Sequence, residues 1–190
     1  MLIYIHGFNS SPASSKANLL RQRLETRARR AEFFAPELPR SPAQAAELLI
    51  GLAARHPDAV LVGSSLGGYF ATYVAEGHDL RAVLLNPVVR PYELLTGLVG
   101  RQRNFHTGEE YDFTVQHVAE LRAFEVERVT PARYLLLAAT GDEVLDYRLA
   151  VERYRGCRQI LIEGGDHGLS NFSDYLDDVL DFCGVVPAQS

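Results

Sequence analysis

The chain has 190 residues, 47% hydrophobic and 23% charged, with a net charge of −5. That balance suits a single globular domain over residues 1–190 that buries about 70% of its unfolded surface, and it argues against a nucleic-acid partner. No apolar run reaches the roughly 20 residues of a membrane span, no signal peptide is expected ahead of a strand starting at Leu2, and Cys157 and Cys183 make neither a disulfide framework nor a zinc set, so a cytoplasmic protein without metal or cofactor is expected.

Leu2-Ile3-Tyr4-Ile5 is a continuous apolar run, the pattern of a strand buried on both faces. It leads into His6-Gly7-Phe8-Asn9-Ser10-Ser11-Pro12. Ser14 or Ser15 can cap a helix to about Ala28, with Leu19, Leu20 and Leu24 on one face and the cluster Arg27, Arg29 and Arg30 at its end, where cations suit the dipole. Glu32 to Ala35 reads as a short strand closed by Pro36 and Pro39. Ser41-Pro42 opens a helix with Ala45, Leu48, Leu49 and Leu52 at helical spacing.

Ala59 to Val62 is the third strand, followed by Gly63-Ser64-Ser65-Leu66-Gly67 and a helix to about His78. Arg81 to Leu85 is the fourth strand. Pro91 to Arg133 is less regular, a cap-like insertion (91–133) with one helix over Gln116 to Phe124. Tyr134 to Ala139 and Gln159 to Ile162 are the fifth and sixth strands, separated by a helix to about Arg155. Asp174 to Phe182 is the last helix, and Gly184 to Ser190 reads as a frayed tail.

Strands alternating with helices imply right-handed crossovers and an α/β fold. The expectation is a six-stranded, mostly parallel sheet in spatial order 2-1-3-4-5-6 with helices on both faces. Ligands of such sheets bind beyond the carboxyl ends of the strands.

Three residues with complementary chemistry fall at those ends. Gly63-Ser64-Ser65-Leu66-Gly67 lies between a strand and a helix and fits G-x-S-x-G, the nucleophile elbow of α/β-hydrolases. Asp142 follows the fifth strand and His167 the sixth, so the chain order is Ser, Asp, His, as in that fold. A serine hydroxyl needs a neutral imidazole to take its proton, and a carboxylate to orient that imidazole. Ser65, His167 and Asp142 are the candidates for these roles. The backbone N–H groups of Leu66 and Phe8 are the candidate oxyanion donors.

Competing residues read differently. Asp146 reads as a first-turn helix acid, Glu143 as pointing the other way along its loop, and Asp166 as a solvated turn residue. His106, His117, His56 and His78 read as surface histidines, and His6 as ordering the oxyanion loop.

The segments His6 to Ser11, Gly63 to Tyr69, Asn86 to Pro91, Thr140 to Arg148 and Glu163 to His167 together resemble the YqiA-type small bacterial esterases, a compact branch of the α/β-hydrolase fold. The resemblance spans nearly the whole chain. It implies a cytoplasmic hydrolase of carboxylic esters or thioesters using Ser65, Asp142 and His167, and it names no physiological substrate. A short insertion suggests an open cleft, with Phe8, Asn9, Tyr69, Asn86, Val88, Leu94, Phe113 and Val144 as candidate walls, and with Arg90 either paired with Glu93, the reading preferred, or facing an anionic group of the substrate.

The expected partner is a small ester or acyl thioester, and the expected state is a monomer or small homo-oligomer. A small serine peptidase or carbon–carbon bond hydrolase on the same three residues, or a non-catalytic binding relative, are the alternatives, because specificity lives in the cleft and not in the fold.

Overall fold

The apolar runs pair with one another into one sheet. The computed structural model describes residues 1–27 and 32–185. In it β1 (Leu2–Ile5), β2 (Phe33–Phe34), β3 (Val60–Ser64) and β4 (Arg81–Leu85) share a sheet with β7 (Tyr134–Ala139) and β8 (Arg158–Ile162). The order is β2-β1-β3-β4-β7-β8, and every neighbouring pair is parallel. That is the expected order once the intervening hairpin is set aside. β5 (Gly100–Arg103) and β6 (Glu110–Phe113) form that hairpin, antiparallel and separate from the main sheet.

Side chains alternate across each strand, and the two faces build two cores. Ile3, Ile5, Leu61, Leu84 and Leu136 face α2 (Pro42–Arg55), α3 (Leu66–His78) and α6 (Tyr147–Arg153), meeting Leu49, Phe70, Val74 and Ala150. Leu2, Tyr4, Val62, Val83, Leu85 and Leu137 face α1 (Ser15–Arg27) and α7 (Leu176–Phe182), meeting Leu20, Leu24, Val179 and Leu180. Burial on both faces is why these strands read as unbroken apolar runs.

Between β4 and β7 the chain forms α4 (Pro91–Leu95), a 3₁₀ turn, the β5–β6 hairpin and α5 (Val115–Ala123). Phe113 and Leu121 carry this segment into the core beside α2 and α3. Thr114 and His117 cap α5 reciprocally: the His117 N–H donates to Thr114 Oγ1, and His117 Nδ1 accepts from the Thr114 N–H. His117 is therefore a helix-cap residue and not a plain surface histidine.

Several boundaries differ from the sequence reading. β2 keeps two residues. The last helix is shorter, because residues 172–175 wind as a 3₁₀ turn before α7. The chain beyond α7 stays packed for longer than expected: Gly184 turns at φ 75, and the buried Val185 donates its N–H to Leu180 O. Arg29 and Arg30 of the basic cluster, and residues 186–190, lie outside the described residues. Among the described residues no helix is long and apolar enough to cross a membrane.

Candidate active site

The site begins with a backbone conformation. Ser65 sits between β3 and α3 at φ 54, ψ −117, a region that non-glycine residues rarely adopt. Three backbone hydrogen bonds hold it there: Ser65 N–H to Leu85 O, and Gly68 N–H and Val88 N–H to Ser65 O. The turn is so tight that a Cβ on Gly67 would stand 2.0 Å from Ile5 O, and one on Gly63 2.3 Å from Gly67 O. Only hydrogen fits at either position, which is the physical content of the two motif glycines.

Ser65 Oγ lies 3.1 Å from His167 Nε2, and His167 Nδ1 lies 2.8 Å from Asp142 Oδ2. The other carboxylate oxygen, Oδ1, accepts the N–H groups of Val144 and Leu145 at 2.9 and 2.8 Å. Burial pushes the Asp142 carboxyl up, but the hydrogen bonds from His167, Leu145 and Val144 outweigh it and leave the group below its ordinary value. The structure thus brings together all three residues singled out from the sequence. They come from the carboxyl ends of β3, β7 and β8.

The loop after β1 runs beside the serine. A Cβ on Gly7 would be 3.2 Å from Ser65 Cβ and 3.8 Å from Ser65 Oγ. Phe8 follows directly, and Leu66 is the first residue of α3, whose N–H has no intrahelical carbonyl to meet. Phe8, Asn9, Leu66 and Phe113 line a small cavity of about 50 Å³ behind this loop. His6 is buried and bonds to Gly7 O through Nδ1, and burial lowers its basicity.

A groove of about 530 Å³ opens between the segments that follow β4 and β7. Its apolar walls are Pro87, Val88, Val89 and Leu94 on one side and Val144, Leu145 and Leu149 on the other, and the charged residues Arg90, Glu93, Asp146, Glu152 and Arg153 complete its lining. Ser65 does not itself line it. The connection is through backbone: Val88 bonds to Ser65 O, and Val144 and Leu145 bond to Asp142. Leu94, Val144 and Leu149 are 44%, 52% and 61% exposed, so the groove presents large apolar side chains to solvent.

Of the expected wall residues, Val88, Leu94 and Val144 line this groove and the others do not. Asn9 donates to Gln102 Oε1 and accepts from Tyr111 OH, tying the first loop to the hairpin. Tyr69 is buried and donates to Leu121 O. Phe113 is buried edge-on against Phe8. Asn86 is buried at φ 42: Oδ1 accepts from Ala139 N–H, and Nδ2 donates to the carbonyls of Asp166 and His167. Asn9, Tyr69 and Asn86 are committed to intramolecular partners because a polar group buried here must be satisfied internally, and Phe113 is taken up by ring packing.

The competing residues are also placed. Asp146 caps α6 by accepting from Arg148 N–H. Asp166 accepts from Ser170 N–H. Arg90 and Glu93 form an exposed pair at 3.6 Å. Glu143 turns back toward the histidine loop and accepts the His167 N–H at 3.0 Å, contrary to the reading that it points away. Lys16, in α1, donates to Gly168 O at 2.6 Å. Nothing in the local sequence signals that contact, since Lys16 and Gly168 are 152 residues apart.

Comparisons with other proteins bear on the family and the fold. A UPF0227 protein from Citrobacter koseri is 28% identical over 187 residues, covering 96% of this chain and 98% of that one. Among solved structures, Est1E from Butyrivibrio proteoclasticus superimposes with a TM-score of 0.71 at 15% identity, over 96% of this chain and 88% of that one. Alpha/beta hydrolase domain-containing protein 10 from mouse gives 0.69 at 16% identity, over 95% and 89%. At such identities the structural likeness speaks for the fold alone. The model of the uncharacterised protein family UPF0227 matches residues 1–184, so the chain belongs to the UPF0227 family, built on an α/β-hydrolase fold.

Proposed function

We propose that the protein is a serine hydrolase that cleaves carboxylic esters or thioesters through an acyl-enzyme on Ser65. The observation that carries this reading is the hydrogen-bonded line from Ser65 Oγ through His167 to Asp142, starting from a serine held at positive φ. His167 Nε2 takes the hydroxyl proton as Ser65 attacks the carbonyl carbon, then returns it to the leaving oxygen or sulfur. Asp142 keeps Nδ1 protonated and stabilises the imidazolium. The N–H groups of Phe8 and Leu66 receive the developing oxyanion, each donor contributing about 3–4 kcal/mol in comparable sites. Water then repeats the cycle on the acyl-enzyme.

The mostly apolar groove, joined to the serine through the Val88 N–H on Ser65 O, is the natural seat for the chain of such a substrate, and the 91–133 segment, which supplies Leu94, acts as its short cap. The test is labelling by a fluorophosphonate probe together with hydrolysis of a panel of p-nitrophenyl esters and acyl thioesters. Wild type should label and turn over, and Ser65→Ala should do neither, losing on the order of 10⁶ in kcat. Equal labelling of both proteins would sink the reading.

A further inference from the structure

His167 has no secondary structure of its own to aim it. β8 ends at Ile162, the next 3₁₀ turn begins at Phe172, and the intervening loop holds Gly164 and Gly165 at positive φ. Yet the imidazole must stay within hydrogen-bond reach of Ser65 Oγ, where a shift of about 1 Å can cost 10²-fold in rate.

The backbone around His167 is gripped from three directions. Asn86 Nδ2 donates to Asp166 O at 3.0 Å and to His167 O at 3.2 Å. Glu143 Oε2 accepts the His167 N–H at 3.0 Å. Lys16 Nζ donates to Gly168 O at 2.6 Å. The three carbonyls of residues 166–168 and the N–H of the histidine itself are thus all held by side chains, which come from the ends of β4 and β7 and from α1.

We propose that Asn86, seconded by Glu143 and Lys16, is the positioning device that fixes His167 against Ser65, so that the histidine's aim is set by side chains from outside its own loop. This rests on the hydrolase reading given above. Asn86 is suited to the task by its chemistry. Its oxygen accepts the Ala139 N–H at 2.8 Å, and its own N–H donates to Leu137 O at 2.9 Å, which leaves both amide hydrogens for the histidine loop. Asparagine also tolerates the left-handed backbone found there, φ 42. Glutamine carries the same groups too far from the chain. Aspartate keeps the shape and the Ala139 bond, but sets a carboxylate oxygen against two carbonyl oxygens.

The test is the rate of fluorophosphonate labelling at Ser65, which needs the same base and no known substrate, measured per folded molecule with thermal unfolding as the control. Asn86→Asp should label about 10²-fold more slowly. Glu143→Ala, an exposed change that spares the core, should label roughly tenfold more slowly, as expected for one lost charge-assisted hydrogen bond. Glu143→Gln still offers an oxygen to the His167 N–H and should return to within about twofold of wild type. Folded Asn86→Asp and Glu143→Ala proteins labelling at the wild-type rate would overturn the proposal. So would a Glu143→Gln as slow as Glu143→Ala, because charge and not grip would then be the cause. If Asn86→Asp does not fold, the Glu143 pair decides alone. An unlabelled wild type would instead overturn the hydrolase reading, and this proposal with it.

Discussion

Two carboxylates largely withdrawn from water sit at opposite edges of the same sheet and hold different partners. At the amino edge, Glu76 near the end of α3 accepts from Thr130 N–H, Thr130 Oγ1, Tyr134 OH and Arg133 Nη1. At the carboxyl edge, Asp142 accepts from Val144 N–H, Leu145 N–H and His167 Nδ1. Both side chains are largely out of water, at 16% and 2% exposure. In both, burial pushes the carboxyl up and the surrounding donors more than reverse it, so both groups lie below their ordinary values. The difference lies in what the carboxylate holds. The donors of Glu76 are hydroxyls, an amide and an always-charged guanidinium, none of which exchanges a proton near neutrality, and the network runs on only from Arg133 Nη2 to the carboxylate of Asp79. Asp142 holds an imidazole whose far nitrogen reaches a half-buried serine. A saturated network stabilises the fold; a network with a transferable proton at its open end can do chemistry.

Exchanging carboxylate for amide at each edge breaks that comparison most sharply. Asp142→Asn should cost on the order of 10⁴ in kcat, through the wrong imidazole tautomer, with the fold kept by circular dichroism. Glu76→Gln should leave kcat within about twofold and instead cost about 2–3 kcal/mol of stability, read as a fall of roughly 5–10 °C in Tm. If Glu76→Gln is the inactive protein and Asp142→Asn the unstable one, the division of labour between the two edges is wrong.

Acid titration sharpens the same contrast. Because both folded carboxyls lie below their unfolded values, the unfolded chain binds more protons in acid. The stability they contribute is present above the ordinary carboxylate range and is lost as pH falls through it. Urea unfolding should therefore give stability that declines below about pH 4.5 in wild type, with a shallower decline in Glu76→Gln. An unchanged slope would mean that the Glu76 network carries no linkage.

The smallest effect is expected at Asp146, four residues beyond Asp142. Its carboxylate caps α6, and asparagine caps nearly as well. Asp146→Asn should leave kcat at the wild-type value and Tm almost unmoved. Loss of activity there would show that the wrong acid after β7 has been placed opposite His167.

What the sequence determined by itself is what local pattern can encode. Unbroken apolar runs marked the four central strands β1, β3, β4 and β7, because those strands are buried on both faces, whereas the edge strands β2 and β8 are partly exposed. Gly63, Ser65 and Gly67 marked the elbow, because a turn in which a Cβ would stand 2.0 Å from a carbonyl oxygen admits nothing larger than hydrogen. The order Ser65, Asp142, His167 followed from placing each just past a strand end. The β5–β6 hairpin was less legible: Tyr111 and Phe113 alternate with acidic residues, but the strands are four residues each and pair only with one another.

Which polar residues face the groove and which hold the scaffold is set by the packing of distant segments. Asn86 and Asn9 carry side chains that could serve a substrate equally well, and their actual partners lie 53 to 102 residues away. Lys16 and Glu143 reach the histidine loop across 152 and 24 residues. A hydrophobic residue announces its role through the period of its neighbours, because a whole face is buried at once. A buried polar residue is satisfied by one or two particular atoms, and which atoms they are is settled only when distant segments are packed together.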